Sequence, residues 1–469
     1  MTIKSFAALA ACYALVSCSS FDYAPSGRFA QDDTAIGRFA QDSGAPRSVI
    51  LSGAPQARNR RTPIKHVVFV VQENRSFNDL FMGYPGATTA RYGYDRTGKK
   101  IALQPIGLVT SWDIEHSAAA FFAACDGRGK LRGTDCAMDG WNGEKAGLGH
   151  PDNYAYAYVP RDEIEPYWTL ARQYVLGDET FASNLDGSFV AHQYVVAAYS
   201  SRAVDYPLSI WGCGGGTGDT VPTLTPRRGR GPEIRACFEN PTIASEADAA
   251  GVSWRFYADS VYGSGGLWSS YQADKAIFDG PDWKNDIVNP PGQFLADVGH
   301  GKLAAITWIA PTFDESDHPG ESAGDGPAWV ASVVNAVGES KFWDSTAIFI
   351  LWDDWGGWFD PVKPPYLDYD GLGFRIPLIV VSAYAKKGSV THTRYETASV
   401  LRFIEDAFGL APMAASDGRA ANPAGDPAVF DFMQSPRTFQ KIGGERPAAY
   451  WHRRETPTRA APPAVLGDD

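Results

Sequence analysis

The chain has 469 residues, 44% of them hydrophobic and 13% aromatic, which is too apolar for a disordered polymer. Gly 48 and Pro 32 make up about a sixth of it, which excludes a coiled coil or helical bundle and implies long ordered loops. The formal net charge is −12 with no basic stripe to offset it, so no nucleic-acid partner is expected. Length alone leaves one to three domains open, at roughly 150 residues each.

In chain order, Lys4 and an apolar run from Phe6 to Val16 form an export signal over residues 1–17, too short to span a bilayer. Leu15-Val16-Ser17-Cys18 resembles a bacterial lipobox, so Cys18 is expected to carry a lipid, with Ser19 directing it to the outer membrane. An ordinary cleaved signal is the simpler alternative. The expected location is the periplasmic face of the outer membrane or the cell surface, and otherwise the exterior. Residues 18–62 are polar, hold a near repeat at Gly27 and Gly37, and read as a flexible tether. Residues 63–444 come next as one domain, and 445–469 as a Pro/Ala-rich tail.

With Cys18 acylated, Cys125, Cys136, Cys213 and Cys237 remain in the exported chain, enough for two disulfides. Three pairings are possible. The local one, Cys125–Cys136 with Cys213–Cys237, is favoured because both loops are short.

Four apolar runs rich in Val and Ile read as buried strands: His66–Val71, Ala304–Ile309, Thr346–Trp352 and Pro377–Val381. Helical stretches lie between them at Pro166–Tyr174, Ala191–Tyr199, Pro327–Val337 and Glu396–Phe408. This alternation predicts an α/β fold with a mostly parallel central sheet flanked by helices, carrying long loop insertions at Asp205–Pro241 and Gly263–Gly292.

The polar residues at the strand ends carry the chemistry. The first strand runs into Glu73-Asn74-Arg75-Ser76, the second into Pro311 through Asp317-His318-Pro319, and the third into Asp353-Asp354. Ligands bind at the carboxyl ends of strands in open α/β sheets, so these acids are expected to converge on one cleft. Like charges gathered there need a cation between them. Mostly oxygen donors fit Ca²⁺, Mg²⁺ or Mn²⁺, and neighbouring His would admit Zn²⁺. A nucleophile is suggested by Asp186-Gly187-Ser188-Phe189, where Gly187 permits a sharp turn and Ser188 opens a helix that attracts phosphate. Taken alone, a Ser there is more often a plain helix cap. Neither a Gly-x-Ser-x-Gly elbow nor a nucleotide-binding Gly motif is present.

These residues together resemble a known family. Ile64 through Glu73-Asn74-Arg75-Ser76-Phe77 is similar to the opening motif of the bacterial phosphoesterases that include phospholipases C and acid phosphatase A. Asp113-Ile-Glu-His116, Met138-Asp-Gly-Trp, Gly187-Ser188 through His192, Trp308 through His318, Ile348 through Asp360, and His392 through Glu396 match later blocks in order. The resemblance implies an alkaline-phosphatase-like fold and hydrolysis of phosphate esters. It implies that Glu73, Asn74, Asp353 and Asp354 hold a divalent metal and that Ser188 is the nucleophile. It further implies that His116, His318 and Asn74 contact phosphate, that His116 and His318 serve proton transfer, and that His392 lies nearby as a catalytic group. His192, on the helix after Ser188, is given a lesser part.

Two positions depart from the family pattern. Pro361 stands where many members carry His, and Asn78 where the first motif usually has Asp. A phospholipase C-like diester, with a phospholipid headgroup as substrate, is placed ahead of a phosphomonoester. Trp352, Trp355 and Trp358 either face a choline group or pack loops onto the sheet. A surface lipoprotein that binds phosphorylated ligands without turnover is the alternative that Pro361 favours.

Overall fold

The computed structural model describes residues 62–207, 212–261, 266–320 and 322–454, all within one compact unit. The expected signal, Cys18 and nearly all of the tether lie outside the described residues. The central sheet has eight strands: β1 (His66–Gln72), β2 (Val175–Gly177), β3 (Trp254–Tyr257), β4 (Ile287–Val288), β5 (Ile306–Ile309), β6 (Thr346–Trp352), β7 (Leu378–Ser382) and β8 (Ser389–Thr391). Their spatial order is β4-β3-β5-β1-β6-β7-β2-β8.

Strands β4, β3, β5, β1 and β6 run parallel, with Val67 opposite Ile306 and Gln72 opposite Trp352. β1 and β6 are apolar without alternation because both faces of the sheet are covered. The run at Pro377–Val381 becomes β7, and it pairs antiparallel with β6 and β2. The reason lies in its connection. Residues 353–377 contain no helix, and a parallel return needs a long crossover. The sheet is therefore mostly parallel with one reversed strand. No long apolar run marks β2, β3, β4 or β8, since each has five residues or fewer.

The helices that position the site are α1 (Phe77–Phe81), α2 (Ala118–Cys125), α3 (Glu165–Gln173), α4 (Ser188–Ala197), α5 (Gly326–Gly338), α6 (Ala398–Phe408) and α7 (Ala448–Arg454). Three of the four expected helical stretches match α3, α5 and α6 closely, while α4 begins at Ser188 rather than Ala191. Of the segment read as a tail, residues 448–454 form α7, and Trp451 is buried with its ring 5.1 Å from Trp329.

A second apolar cluster stands beside the sheet core, built from Trp112, Phe121, Trp141, Trp355, Trp358 and Phe374. It contains the Cys125–Cys136 disulfide, and Cys213–Cys237 closes the insertion, so both local pairings are present. Trp355 and Trp358 are fully buried, so of the two roles open to them the packing one is observed. Trp352 is equally buried and donates from Nε1 to Asp317. Among the described residues no helix is long and apolar enough to cross a membrane.

Candidate metal centre and nucleophile

β1 and β6 are neighbours in register, so the residues just beyond them, Glu73-Asn74 and Asp353-Asp354, emerge at one edge of the sheet. Asn74 adopts the left-handed conformation (φ 58°), which Asn tolerates better than most residues. Its N–H donates to Asp353 Oδ1 at 3.2 Å, tying the two strand ends together. Gly356 passes directly beneath: a Cβ there would lie 2.0 Å from the Asn74 carbonyl oxygen. The Gly after the paired aspartates is thus required by close approach.

Glu73, Asn74, Asp353 and Asp354 are all fully buried. Asn74 Oδ1 lies 2.8 Å from Glu73 Oε2 and 3.3 Å from Asp353 Oδ1, oxygen against oxygen. Asp353 Oδ2 and Asp354 Oδ2 find no hydrogen-bond partner among the described residues. Burial raises the Glu73 carboxyl well above its ordinary value, and Asp353 and Asp354 add to the rise. Burial and Asp353 do the same to Asp354. Orphaned, crowded, charged oxygens of this kind fit a divalent cation. Without one, the Asn74 amide turned over would donate to both carboxylates.

Ser188 is the first residue of α4, where the helix dipole is positive. Its Oγ donates to Glu73 Oε2 at 3.2 Å and lies 3.5 Å from Asn74 Oδ1, so the hydroxyl borders the carboxylate cluster. Gly187 does not supply the sharp turn expected of it, since its φ is −78°. It packs closely on His116 instead, where a Cβ would sit 3.2 Å from His116 Cδ2. One turn along α4, His192 hydrogen-bonds Glu73 Oε1 at 2.7 Å, and Glu73, His192 and Asp353 form a group able to hold a metal. His192 thus has a larger part than its sequence context implies; its spacing of four from Ser188 is the signal that points to it.

His116 Nε2 lies 2.6 Å from Asn74 Nδ2, and its Nδ1 donates to the Ile114 carbonyl at 2.7 Å. Burial lowers its pKa, but Asp354 and Asp113 outweigh that and raise it to about 9. The His318 ring is 6.1 Å from His116, and burial lowers its pKa. Asp113, to which sequence reasoning assigns no role, groups with His116 and His318. Arg75 latches the two loops that carry these His. Its Nε donates to the Asp317 carbonyl at 2.9 Å and its Nη2 to the Leu108 carbonyl at 2.6 Å.

Asp317 itself does not join the carboxylate cluster that the strand-end pattern suggests. Tyr167 and Trp352 donate to its Oδ2, at 2.9 and 3.0 Å, so it holds the His318 loop against the sheet. The structure also does not bring His392 into the cluster. Its imidazole is 60% exposed at the end of β8 and pairs with Asp178 at 2.8 Å. Asp360, before Pro361, is buried in a two-bonded ion pair with Arg375. Asn78 ties down the next loop, exchanging hydrogen bonds with Ala90.

A cleft of about 700 Å³ opens over Ser188, His116 and His318. Asp205, Tyr206, Arg230 and Glu233 from the first long insertion line it, as does Leu267 from the second. With Asp113, Glu115 and Asp186, five carboxylates line the cleft against the His116 imidazole and one guanidinium, which Glu233 already pairs at 2.6 Å. Nothing in the sequence marks the insertion acids.

Residues 64–411 match the model of the phosphoesterase family. Phospholipase C B of Mycobacterium tuberculosis is 24% identical over 457 residues, covering 82% of this chain and 81% of the relative. Hemolytic phospholipase C of Pseudomonas aeruginosa is 23% identical, covering 84% of this chain and 60% of the relative. Among solved structures, an alkaline phosphatase superfamily protein from Vibrio parahaemolyticus aligns over 77% of this chain and 71% of its own, at 10% identity and a TM-score of 0.35.

Proposed function

The chain belongs to the phosphoesterase family and is a hydrolase of phosphoric ester bonds, and from this premise we propose a cation-dependent phosphodiesterase that uses Ser188 as nucleophile. The observation that carries the reading is the contact of the Ser188 hydroxyl with Glu73 and Asn74, which stand against Asp353 in the buried carboxylate cluster. A bound divalent cation would supply charge neutralisation for the phosphate and for the Ser188 oxygen.

The chain's own groups do the rest. Ser188 Oγ passes its proton to Glu73 Oε2, to which it already donates, and forms a bond to phosphorus as the P–O bond to the leaving alcohol breaks. The alcohol takes a proton from the imidazole that faces it, His116 or His318. Water then loses its proton to the same imidazole and attacks the phosphoserine, the P–Oγ bond breaks, and Ser188 Oγ takes its proton back from Glu73. Arg75 keeps both His loops in place during the cycle. His392, paired with Asp178 on the surface, has no step in this reading.

The acid-rimmed cleft favours a diester over a monoester. A monoester brings two negative charges toward five carboxylates, whereas a diester with a cationic alcohol, such as a choline headgroup, is complemented by them. Both disulfides are consistent with an exported protein. Attachment through a lipidated Cys18 completes the proposal, and Cys18→Ser is expected to release the protein from membranes.

The test is hydrolysis of p-nitrophenyl phosphorylcholine and p-nitrophenyl phosphate by metal-loaded protein. A higher kcat/KM on the diester is expected. Equal or greater activity on the monoester would reverse the substrate assignment, and hydrolysis of neither would refute the catalytic one.

A further inference from the structure

A second cavity, of about 600 Å³, opens between loop 82–91 and α3, and it shares no lining residue with the catalytic cleft. Its wall is aromatic and fixed. Trp168 and Tyr84 are buried with rings 5.1 Å apart, and Trp168 Nε1 donates to the Leu80 carbonyl at 2.9 Å. Loop 82–91 is equally pinned: Gly83 N–H donates to Thr89, Thr88 N–H to Asp178 and Ala90 N–H to Asn78. The site is therefore formed before any ligand arrives.

Three guanidinium groups face this wall, from Arg91, Arg161 and Arg172. Glu165 accepts from Arg161 at 2.9 Å and also from Arg172, so one carboxylate orders two cations and leaves an excess of positive charge. Arg161 also lies over the Trp168 ring, 5.0 Å from its centroid. Arg91 makes no ion pair among the described residues. Its Nη2 lies against Gly83, where a Cβ would stand 2.9 Å away and φ is +78°. A chain of net charge −12 thus concentrates cations beside rigid rings.

We infer that this cavity binds a small organic oxyanion, a phosphate or carboxylate carrying a flat or apolar group. The guanidinium fork suits either head group, and the apolar portion packs against Tyr84 and Trp168.

Calorimetric titration of the metal-loaded protein with phenylphosphonate, benzoate and inorganic phosphate tests this. Any phenylphosphonate held in the catalytic cleft forms one class of site, and the cavity is expected to supply the other. Arg91→Ala weakens the other class about tenfold or more, leaving diester kcat/KM unchanged. Arg91→Lys, which keeps the charge and loses the fork, restores only part of the affinity, and Gly83→Ala weakens it by displacing the fork. Benzoate against phenylphosphonate identifies the preferred head group. Absence of any class of sites that Arg91→Ala weakens would overturn the proposal, as would binding unaffected by Arg91→Lys in a stably folded protein. Inorganic phosphate binding as tightly as phenylphosphonate would overturn the part assigned to the aromatic wall.

Discussion

His192 Nε2 lies 2.7 Å from Glu73 Oε1, with both side chains buried to within 1% of full enclosure. Burial lowers the His192 pKa to about 4, so the imidazole is neutral across the physiological range. The contact fixes one oxygen of Glu73 and leaves the other facing Ser188. His192→Ala is expected to weaken metal affinity about 10–100-fold, with His192→Asn recovering part of it. Metal titration followed by calorimetry reads this directly, and an unchanged affinity would show that Glu73 needs no such support.

The carboxylate cluster itself should control metal content. Asp353→Asn and Glu73→Gln each remove a carboxylate from a buried site in which Asp353 Oδ2 and Asp354 Oδ2 lack hydrogen-bond partners among the described residues. Loss of bound divalent metal by mass spectrometry is expected, together with a fall in kcat of about 10²-fold or more. A chelator should abolish activity in the wild type, and full activity without metal would contradict the assignment.

Asp360 and Arg375 are both fully buried, and the guanidinium also donates to the carbonyls of Asp178 and Thr88. Asp360→Ala leaves that charge unpaired, at a cost of about 3–5 kcal/mol in urea unfolding. Arg375→Ala is expected to be comparably destabilising. A near-neutral result for Asp360→Ala would mean that the backbone carbonyls suffice.

Glu405 carries the clearest pH signature away from the cleft. Burial, reinforced by Asp417, raises its carboxyl pKa from 4.5 to about 9. The folded chain keeps a proton that the unfolded chain releases, so this group makes stability fall as pH rises from about 4.5 to about 9. Glu405→Gln removes that slope. Its advantage in melting temperature over the wild type should grow across this window and level off above it.

The acid rim should act on binding of a cationic alcohol. Asp205→Asn with Glu233→Gln is expected to raise KM for p-nitrophenyl phosphorylcholine severalfold while leaving kcat nearly unchanged. An equal rise for p-nitrophenyl phosphate would show that the rim merely shapes the cleft.

Much of this site is legible in the sequence because strand and ligand are contiguous in the chain. An apolar run leading into Glu73-Asn74, and another leading into Asp353-Asp354, place both pairs at one sheet edge once the strands pair in parallel. Long-range polarity is not legible. Asp317 looks like a further ligand in sequence, but Tyr167 and Trp352 claim its oxygen from elements distant in the chain. His392 likewise comes after a strand, yet β8 is the edge strand beyond β7 and β2, and Asp178 is its partner. The reversed direction of β7 stems from a helix-free connection, which an apolar run alone does not reveal.

The central claim is that Ser188, bordering the carboxylate cluster, attacks phosphorus. Mass spectrometry of metal-loaded protein treated with a p-nitrophenyl alkylphosphonate tests it most directly. The account predicts a phosphonyl adduct on the peptide containing Ser188 and none in Ser188→Ala, with kcat for the diester reduced about 10³-fold or more. An adduct on another residue, or diester hydrolysis that persists in Ser188→Ala, would contradict it.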